Sequence, residues 1–141
     1  MYLGNSHKKN WSRFYGFALI LLLVGSFACS SKILNGKAED FDTFYNRFHS
    51  DPQFQLDRVK FPLDGSYEDE AGQVVWSKSN WQMHRQKVTD ISEPNYDTEI
   101  IRKKTEVTDK VQLRGAGYYS IRKFQLVDGR WYLVFYDAAD L

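Results

Sequence analysis

Phe124-Gln125-Leu126-Val127-Asp128-Gly129-Arg130-Trp131-Tyr132-Leu133-Val134-Phe135-Tyr136 is the stretch on which the fold turns. Asp128-Gly129 is a hairpin dipeptide, since both central positions of the tight turn need positive φ. Tyr118 to Val127 leads into it as a long strand, and Arg130 to Tyr136 returns. Trp131 to Tyr136 is apolar on both faces, which predicts a strand covered on both sides and central in its sheet.

Working upstream, Gly115-Ala116-Gly117 predicts a bulge or tight bend after a run from Val111 to Arg114. Thr98 to Val107 reads as one strand closed by Thr108-Asp109 as a turn. Arg102-Lys103-Lys104 alternates faces on that strand, so it keeps a sheet face or edge soluble and forms no basic stripe. Asp90 to Tyr96 is a loop, and Glu68-Asp69-Glu70 is a solvated one. Val74-Val75-Trp76 is a strand; Trp76 to Trp81 reads either as a capped helical turn or as an irregular strand. Phe61-Pro62-Leu63 is extended and Asp64-Gly65 turns the chain.

Before these strands the period is helical. Phe41, Phe44, Tyr45 and Phe48 fall at i, i+3, i+4 and i+7, one core-facing stripe. Glu39, Asp40 and Asp42 crowd the first turn, where the helix dipole favours acids. Ser50 or Asp51 caps a second short helix, with Pro52 at its first position and an end near Arg58. Helices followed by a run of strands predict an α+β domain, its N-terminal helices packed on one face of a strongly curved antiparallel sheet.

The first residues have another purpose. Lys8, Lys9 and Arg13 form a basic region, Phe17 to Val24 an apolar one, and Ser26-Phe27-Ala28 a small-x-small cleavage site. Residues 1–28 therefore read as an export signal. Cys29 follows directly, between Ala28 and Ser30-Ser31. It resembles the lipid-modified cysteine of a bacterial lipobox, although Ser26 stands where that motif prefers Leu. Lipidation would give the first mature thiol a purpose, with two or more acyl chains (palmitate among them) for firm anchoring. Residues 29–37 then form the lipidated cysteine and tether, and 38–141 the domain. The leader carries three basic and no acidic residues, so the full chain's 19 basic and 18 acidic residues become 16 and 18, net −2. That balance excludes a large nucleic-acid surface. A lone cysteine excludes an internal disulfide or a four-cysteine zinc site.

Phe41-Asp42-Thr43-Phe44, Phe48-His49-Ser50-Asp51, Phe54-Gln55-Leu56-Asp57-Arg58-Val59-Lys60-Phe61-Pro62-Leu63, Trp76-Ser77-Lys78-Ser79-Asn80-Trp81 and the terminal hairpin stand out as motifs. Together they are similar to a family of uncharacterised Gram-negative lipoproteins in the nuclear transport factor 2-like superfamily. The resemblance implies a cone: a bent sheet wrapping helices, with a cavity at its wide end. Relatives use that cavity for isomerase or dehydratase chemistry, for small ligands, or for protein binding, and dimers are common among them.

For enzymes of this fold, Tyr paired with Asp or His would serve as oxyanion stabiliser and base. The chain supplies such types in Tyr118, Tyr119, Tyr132, Tyr136, Asp137, His49 and His84, without a recognisable motif. Both histidines read as surface groups, and no ligand spacing for a metal accompanies them. No phosphate loop, dinucleotide fingerprint or nucleophile elbow occurs, so no cofactor is expected. Arg58, Phe61, Trp76, Trp81, Tyr118 and Tyr119 are the candidates for a pocket rim or partner surface, where Trp, Tyr and Arg concentrate. The expectation is a non-catalytic, lipid-anchored domain on the outer membrane, facing the periplasm, that binds a small ligand or an envelope protein; the alternative is an isomerase or lyase.

Overall fold

The structure, a computed structural model, describes residues 37–141. The expected leader, Cys29 and all but the last residue of the tether lie outside the described residues.

Helix α1 (Phe41–Ser50) starts where Asp40 accepts the Thr43 N–H at 2.9 Å, and α2 (Pro52–Asp57) where Asp51 accepts the Phe54 N–H at 3.0 Å. Each carboxylate satisfies an amide that the first helical turn leaves unpaired. Strands β1 (Val59–Asp64), β2 (Ser66–Asp69), β3 (Gly72–Val75), β4 (Tyr96–Arg102), β5 (Glu106–Leu113), β6 (Tyr119–Val127) and β7 (Arg130–Asp140) follow. They form one curved, unclosed sheet in the order β3-β2-β7-β6-β5-β4, with β1 also paired to β7. The long strand after Asp128-Gly129 is central, as its two apolar faces predict. Asp128 and Gly129 take φ of 50° and 77°, as the tight hairpin requires.

The sheet departs from the expected pattern in three places. It is antiparallel from β4 to β7 but mixed overall, because β1 and β2 run parallel to β7. Glu68 and Asp69 belong to strand β2 instead of a loop; they pair with Ala139 and Asp140, Glu68 exposed and Asp69 half-buried. Thr108-Asp109 is no turn. The chain turns at Lys103 to Thr105, and Thr108 and Asp109 are buried inside β5. Turn propensity lost to a long-range charge partner, Arg122.

Three registered rows cross β5, β6 and β7 on the face that α1 covers. Val107, Phe124 and Leu133 form the first; Asp109, Arg122 and Tyr136 the second; Val111, Ser120 and Ala138 the third. A bulge makes the second row possible. Pairing steps from Lys123–Phe135 to Phe124–Leu133, so Val134 is extra and Tyr136, not Phe135, turns inward. The first row is filled solid: Phe41, Phe44, Tyr45 and Phe48 all place their rings 5.5–5.8 Å from that of Phe124, each edge-on. Such edge contacts are the preferred aromatic geometry. Gly65 lets the chain pass this strand, since a Cβ there would run into the Tyr136 carbonyl and its φ is +90°.

Candidate functional site

The second row holds a buried ion pair. The Arg122 fork donates from Nε to Asp109 Oδ1 at 2.9 Å and from Nη2 to Oδ2 at 2.8 Å. Helix α1 completes it from above. Tyr45 donates its hydroxyl to Asp109 Oδ2 at 2.6 Å and accepts the Val88 N–H at 3.2 Å. His49 Nδ1 meets the Tyr45 carbonyl at 2.8 Å, so it carries the proton, and Nε2 accepts from Arg122 Nη1 at 3.1 Å. Burial, reinforced by Arg122, lowers His49 to about 4, and burial pushes the Tyr45 phenol up. Asp109, already accepting three bonds, has no lone pair turned to a cavity. The Tyr–Asp pair that an enzyme would need as base and stabiliser is here an interior clasp.

The third row is different. Val111, Ser120 and Ala138 are small, and α1 ends before reaching them. What lies over them is the strap from Ser77 to Ile91, which has no long regular element. Its conformation comes from other side chains. Gln55, fully buried on α2, uses its whole hydrogen-bonding capacity on this task. Its Nε2 donates to the Phe48 and His84 carbonyls at 2.7 and 2.8 Å. Its Oε1 accepts from Trp81 Nε1 at 3.1 Å and from the His84 N–H at 3.0 Å. Lys87 reaches Asn46 at 3.0 Å. His84 is thus fixed at both backbone groups.

Two pockets meet at His84. One, about 540 Å³, is walled by Tyr67, Trp76, Gln82 and Tyr136 among others. The second, about 370 Å³, lies over the third row, with Val88, Val111, Tyr118, Ser120, Arg122 and Tyr136 in its wall. Both volumes fall in the range of roughly 300–1,000 Å³ typical of small-molecule sites. His84 and Tyr136 line both, with rings edge-on at 4.7 Å. Trp76 stacks on Tyr136 at 4.7 Å and donates Nε1 to its carbonyl at 2.8 Å. Burial pushes Tyr136 up to about 12 and, with the Arg122 charge, lowers His84 to about 3. His84 Nε2 has no exposed surface and no partner among the described residues. A buried polar atom without a partner is uncommon and calls for an explanation.

Neither histidine is the surface group the sequence suggested. His49 is 5% exposed and His84 half-buried, one drawn in by Arg122 and the other by the Gln55 clasp. Of the other candidates, Trp76 lines the first pocket and Tyr118 the second. Trp81 stands behind Trp76, rings 5.8 Å apart, and Phe61 behind Trp81 at 5.9 Å. Arg58 lies elsewhere. It forks onto Glu39 at 2.9 and 3.1 Å, donates to the Trp131 carbonyl at 2.9 Å, and lies over the Phe54 ring. Tyr119 alternates to the opposite face from Ser120 and bonds Asp137 at 2.9 Å. Gln55, Asp109, Arg122 and Ser120 were not singled out in the sequence. The alternation Val107-x-Asp109-x-Val111, once seen as a strand, is the signal that points to Asp109. Among the described residues, no cluster of His, Cys, Asp or Glu is placed to hold a metal ion.

A protein-family model of unknown function matches residues 39–139. Among solved structures, an NTF2-like protein from Bacteroides fragilis is similar at 17% identity, over 75% of this chain and 49% of its own, with a TM-score of 0.51. A protein from Bacteroides uniformis is similar at 20% identity, over 72% of this chain and 77% of its own, also at 0.51. The chain spans about half the length of the first of these. Identities this low speak for the fold alone. No curated protein matches the chain.

Proposed function

This chain belongs to an uncharacterised nuclear transport factor 2-like family, and from that premise we propose that it is an exported, lipid-anchored protein whose domain binds a small ligand without transforming it. The observation that carries the binding reading is a pair of pockets that share His84 and Tyr136, one of them over Val111 and Ser120 of the third row. Aromatic groups converge on concave walls of a size that suits a small molecule. The Asp109–Arg122 clasp holds its carboxylate in three bonds, 1% exposed and outside the lining of both pockets, which favours binding over isomerase or lyase chemistry. The anchor reading is supported by the sequence: a basic start, an apolar core, Ser26-Phe27-Ala28 and then Cys29. The placement that goes with it is the periplasmic face of the outer membrane.

Two experiments test these parts separately. Labelling with a radioactive fatty acid is expected in the wild type and not in Cys29→Ser; equal labelling of both sinks the anchor. A ligand-observed NMR screen of neutral, anionic and cationic small molecules is expected to give binders that Ser120→Trp, which fills the second pocket, expels. Binders indifferent to Ser120→Trp would place recognition elsewhere.

A further inference from the structure

We propose that the second pocket takes an organic monocarboxylate, its charge between Arg85 and the buried Arg122 guanidinium and its apolar body against Val88, Ile91 and Val111. This rests on the pocket reading above and adds the ligand's class to it. Three features of the wall lead there.

The first is the sign of the charge. Arg85 and Arg122 are the charged residues of this lining, and no carboxylate stands with them. Arg85 is exposed on the strap and pairs with no carboxylate among the described residues. Arg122 is neutralised by Asp109, but the pair is lopsided about the pocket. Asp109, Tyr45 and His49 lie outside the lining and Arg122 within it, so the pocket meets the positive end of the pair. The wall registers that end. Burial lowers His84 and Arg122 lowers it further, with no carboxylate offsetting them; burial raises Tyr118 and Tyr136, and Arg122 works against the rise. An amine brought here would face two cations. A carboxylate would face two partners whose donors match it.

The second is the supply of donors. A guanidinium has five N–H groups. In Arg122, Nε and Nη2 serve Asp109 and Tyr45, and one Nη1–H serves His49. The other Nη1–H has no partner among the described residues. Tyr118 and Tyr136 stay protonated at neutral pH because burial raises both, and Ser120 adds a third hydroxyl to the lining. A carboxylate only accepts, so it answers such a wall. An amide of the same shape offers one acceptor and brings an NH2 group to face donors. A dianion such as phosphate would bring a second charge to a guanidinium that Asp109 already holds.

The third is the apolar part of the wall. Val88 and Val111 are buried and Ile91 half-buried. Ile91 and Val111 continue into a smaller pocket of about 110 Å³, where Glu93 stands. An acid at that end disfavours a carboxylate and leaves the space to the apolar body. The ligand's direction follows: charge toward Arg122, body toward Ile91.

The test uses the full-length protein in detergent micelles, with the side-chain resonances of Arg85 and Arg122 followed by proton–nitrogen NMR. The probes are phenylacetate and hexanoate, their amides phenylacetamide and hexanamide, hexylamine, and inorganic phosphate. At least one carboxylate is expected to saturate, to shift the Arg122 resonance, and to bind at least tenfold tighter than its own amide, the worth of a charged hydrogen bond. Ser120→Trp should expel it, and Arg85→Gln should weaken it several-fold. Arg122 is tested together with its partner, since Asp109→Leu with Arg122→Met leaves an apolar row and no stranded charge. That double variant should lose the preference for carboxylate over amide; if it does not fold, the Arg122 shift and Arg85→Gln decide. An amide or hexylamine that binds as well as the carboxylates and is expelled by Ser120→Trp overturns the class but leaves the pocket reading standing. Phosphate that binds as tightly as the carboxylates overturns the role of the apolar body. A preference for carboxylate that survives in the double variant, with Arg122 unmoved in the wild type, overturns the role of Arg122. If no probe enters the wild type, both the class and the pocket reading fall.

Discussion

His49, buried, and His84, half-buried, are imidazoles of one interior, and they are built for opposite purposes. His49 sits on α1 with both ring nitrogens engaged, one on the Tyr45 carbonyl and one on Arg122. His84 sits on an irregular strap with its main chain clasped and Nε2 free. The difference follows the rows of the sheet. Where α1 covers the sheet, every polar group that enters must be paired, and the result is a closed clasp. Where α1 ends, small side chains leave room for a pocket, and the neighbouring imidazole keeps one ring nitrogen buried and unpaired. Toward α1 the clasp is a structural device; the strap is where a ligand can act.

The comparison breaks most readily at the clasp. Asp109→Ala would strand a buried guanidinium, and losing one partner of such a pair costs about 3–5 kcal/mol. Unfolding in urea is expected to show that loss with an unchanged slope. Replacing both partners, as in Asp109→Leu with Arg122→Met, should recover most of it, because an apolar pair avoids the desolvation of both charges. A double variant as unstable as Asp109→Ala would mean that the clasp specifies the strand register and does not merely fill the row.

A smaller effect belongs to His49. His49→Phe removes one acceptor and leaves Arg122 Nη1 facing a ring, at about 1–3 kcal/mol. His49→Gln can restore an amide oxygen toward Arg122 and should recover part of the loss in the same urea series. No recovery by Gln would show that ring packing against Tyr45, at 4.3 Å, matters more than the bond.

The same contrast explains what could be read in the sequence. Helix α1 was legible because four aromatic residues share one stripe. The terminal hairpin was legible because Asp128-Gly129 has few other uses. Asp109 was misplaced because Thr-Asp is turn chemistry locally; only the pairing of β5 with β6 brings Arg122 opposite to it. The strap was illegible for a different reason. Residues 77–91 carry no period of their own, and Gln55, which orders them, is 29 residues from His84. The motif Phe54-Gln55…Arg58 was conspicuous as a pattern, yet its physical content, a fully used amide and a guanidinium fork, needed three dimensions. Long-range polar pairing leaves no local trace in the chain, and that pairing orders the strap at the candidate site.

Acid separates the two histidines next. Both titrate well below the ordinary value of 6.5, His49 near 4 and His84 near 3. The unfolded chain therefore binds more protons than the folded one below pH 6.5. Stability is full above that pH and falls as pH drops through 6.5 toward 4, by up to about 1.4 kcal/mol per pH unit for each histidine. Thermal unfolding between pH 7 and 4.5 should show this limb. His49→Phe is expected to start lower at pH 7 and fall less steeply. An acid limb of wild-type steepness in both single Phe variants would remove the histidines as its cause.

The finest distinction is the stability of His84→Phe at neutral pH. Nε2 makes no bond in the folded chain, so replacing it with a carbon forfeits none. Removing an unpaired polar atom from a buried position is neutral or stabilising, whereas removing a paired one is costly. The Gln55 clasp acts on the His84 main chain and survives the change. His84→Phe is therefore expected to stay within about 1 kcal/mol of the wild type and to rise more readily than fall. Its acid limb should flatten. A loss as large as that of His49→Phe would show that Nε2 has a structural partner, a bound water for instance, and would erase the contrast between clasp and strap.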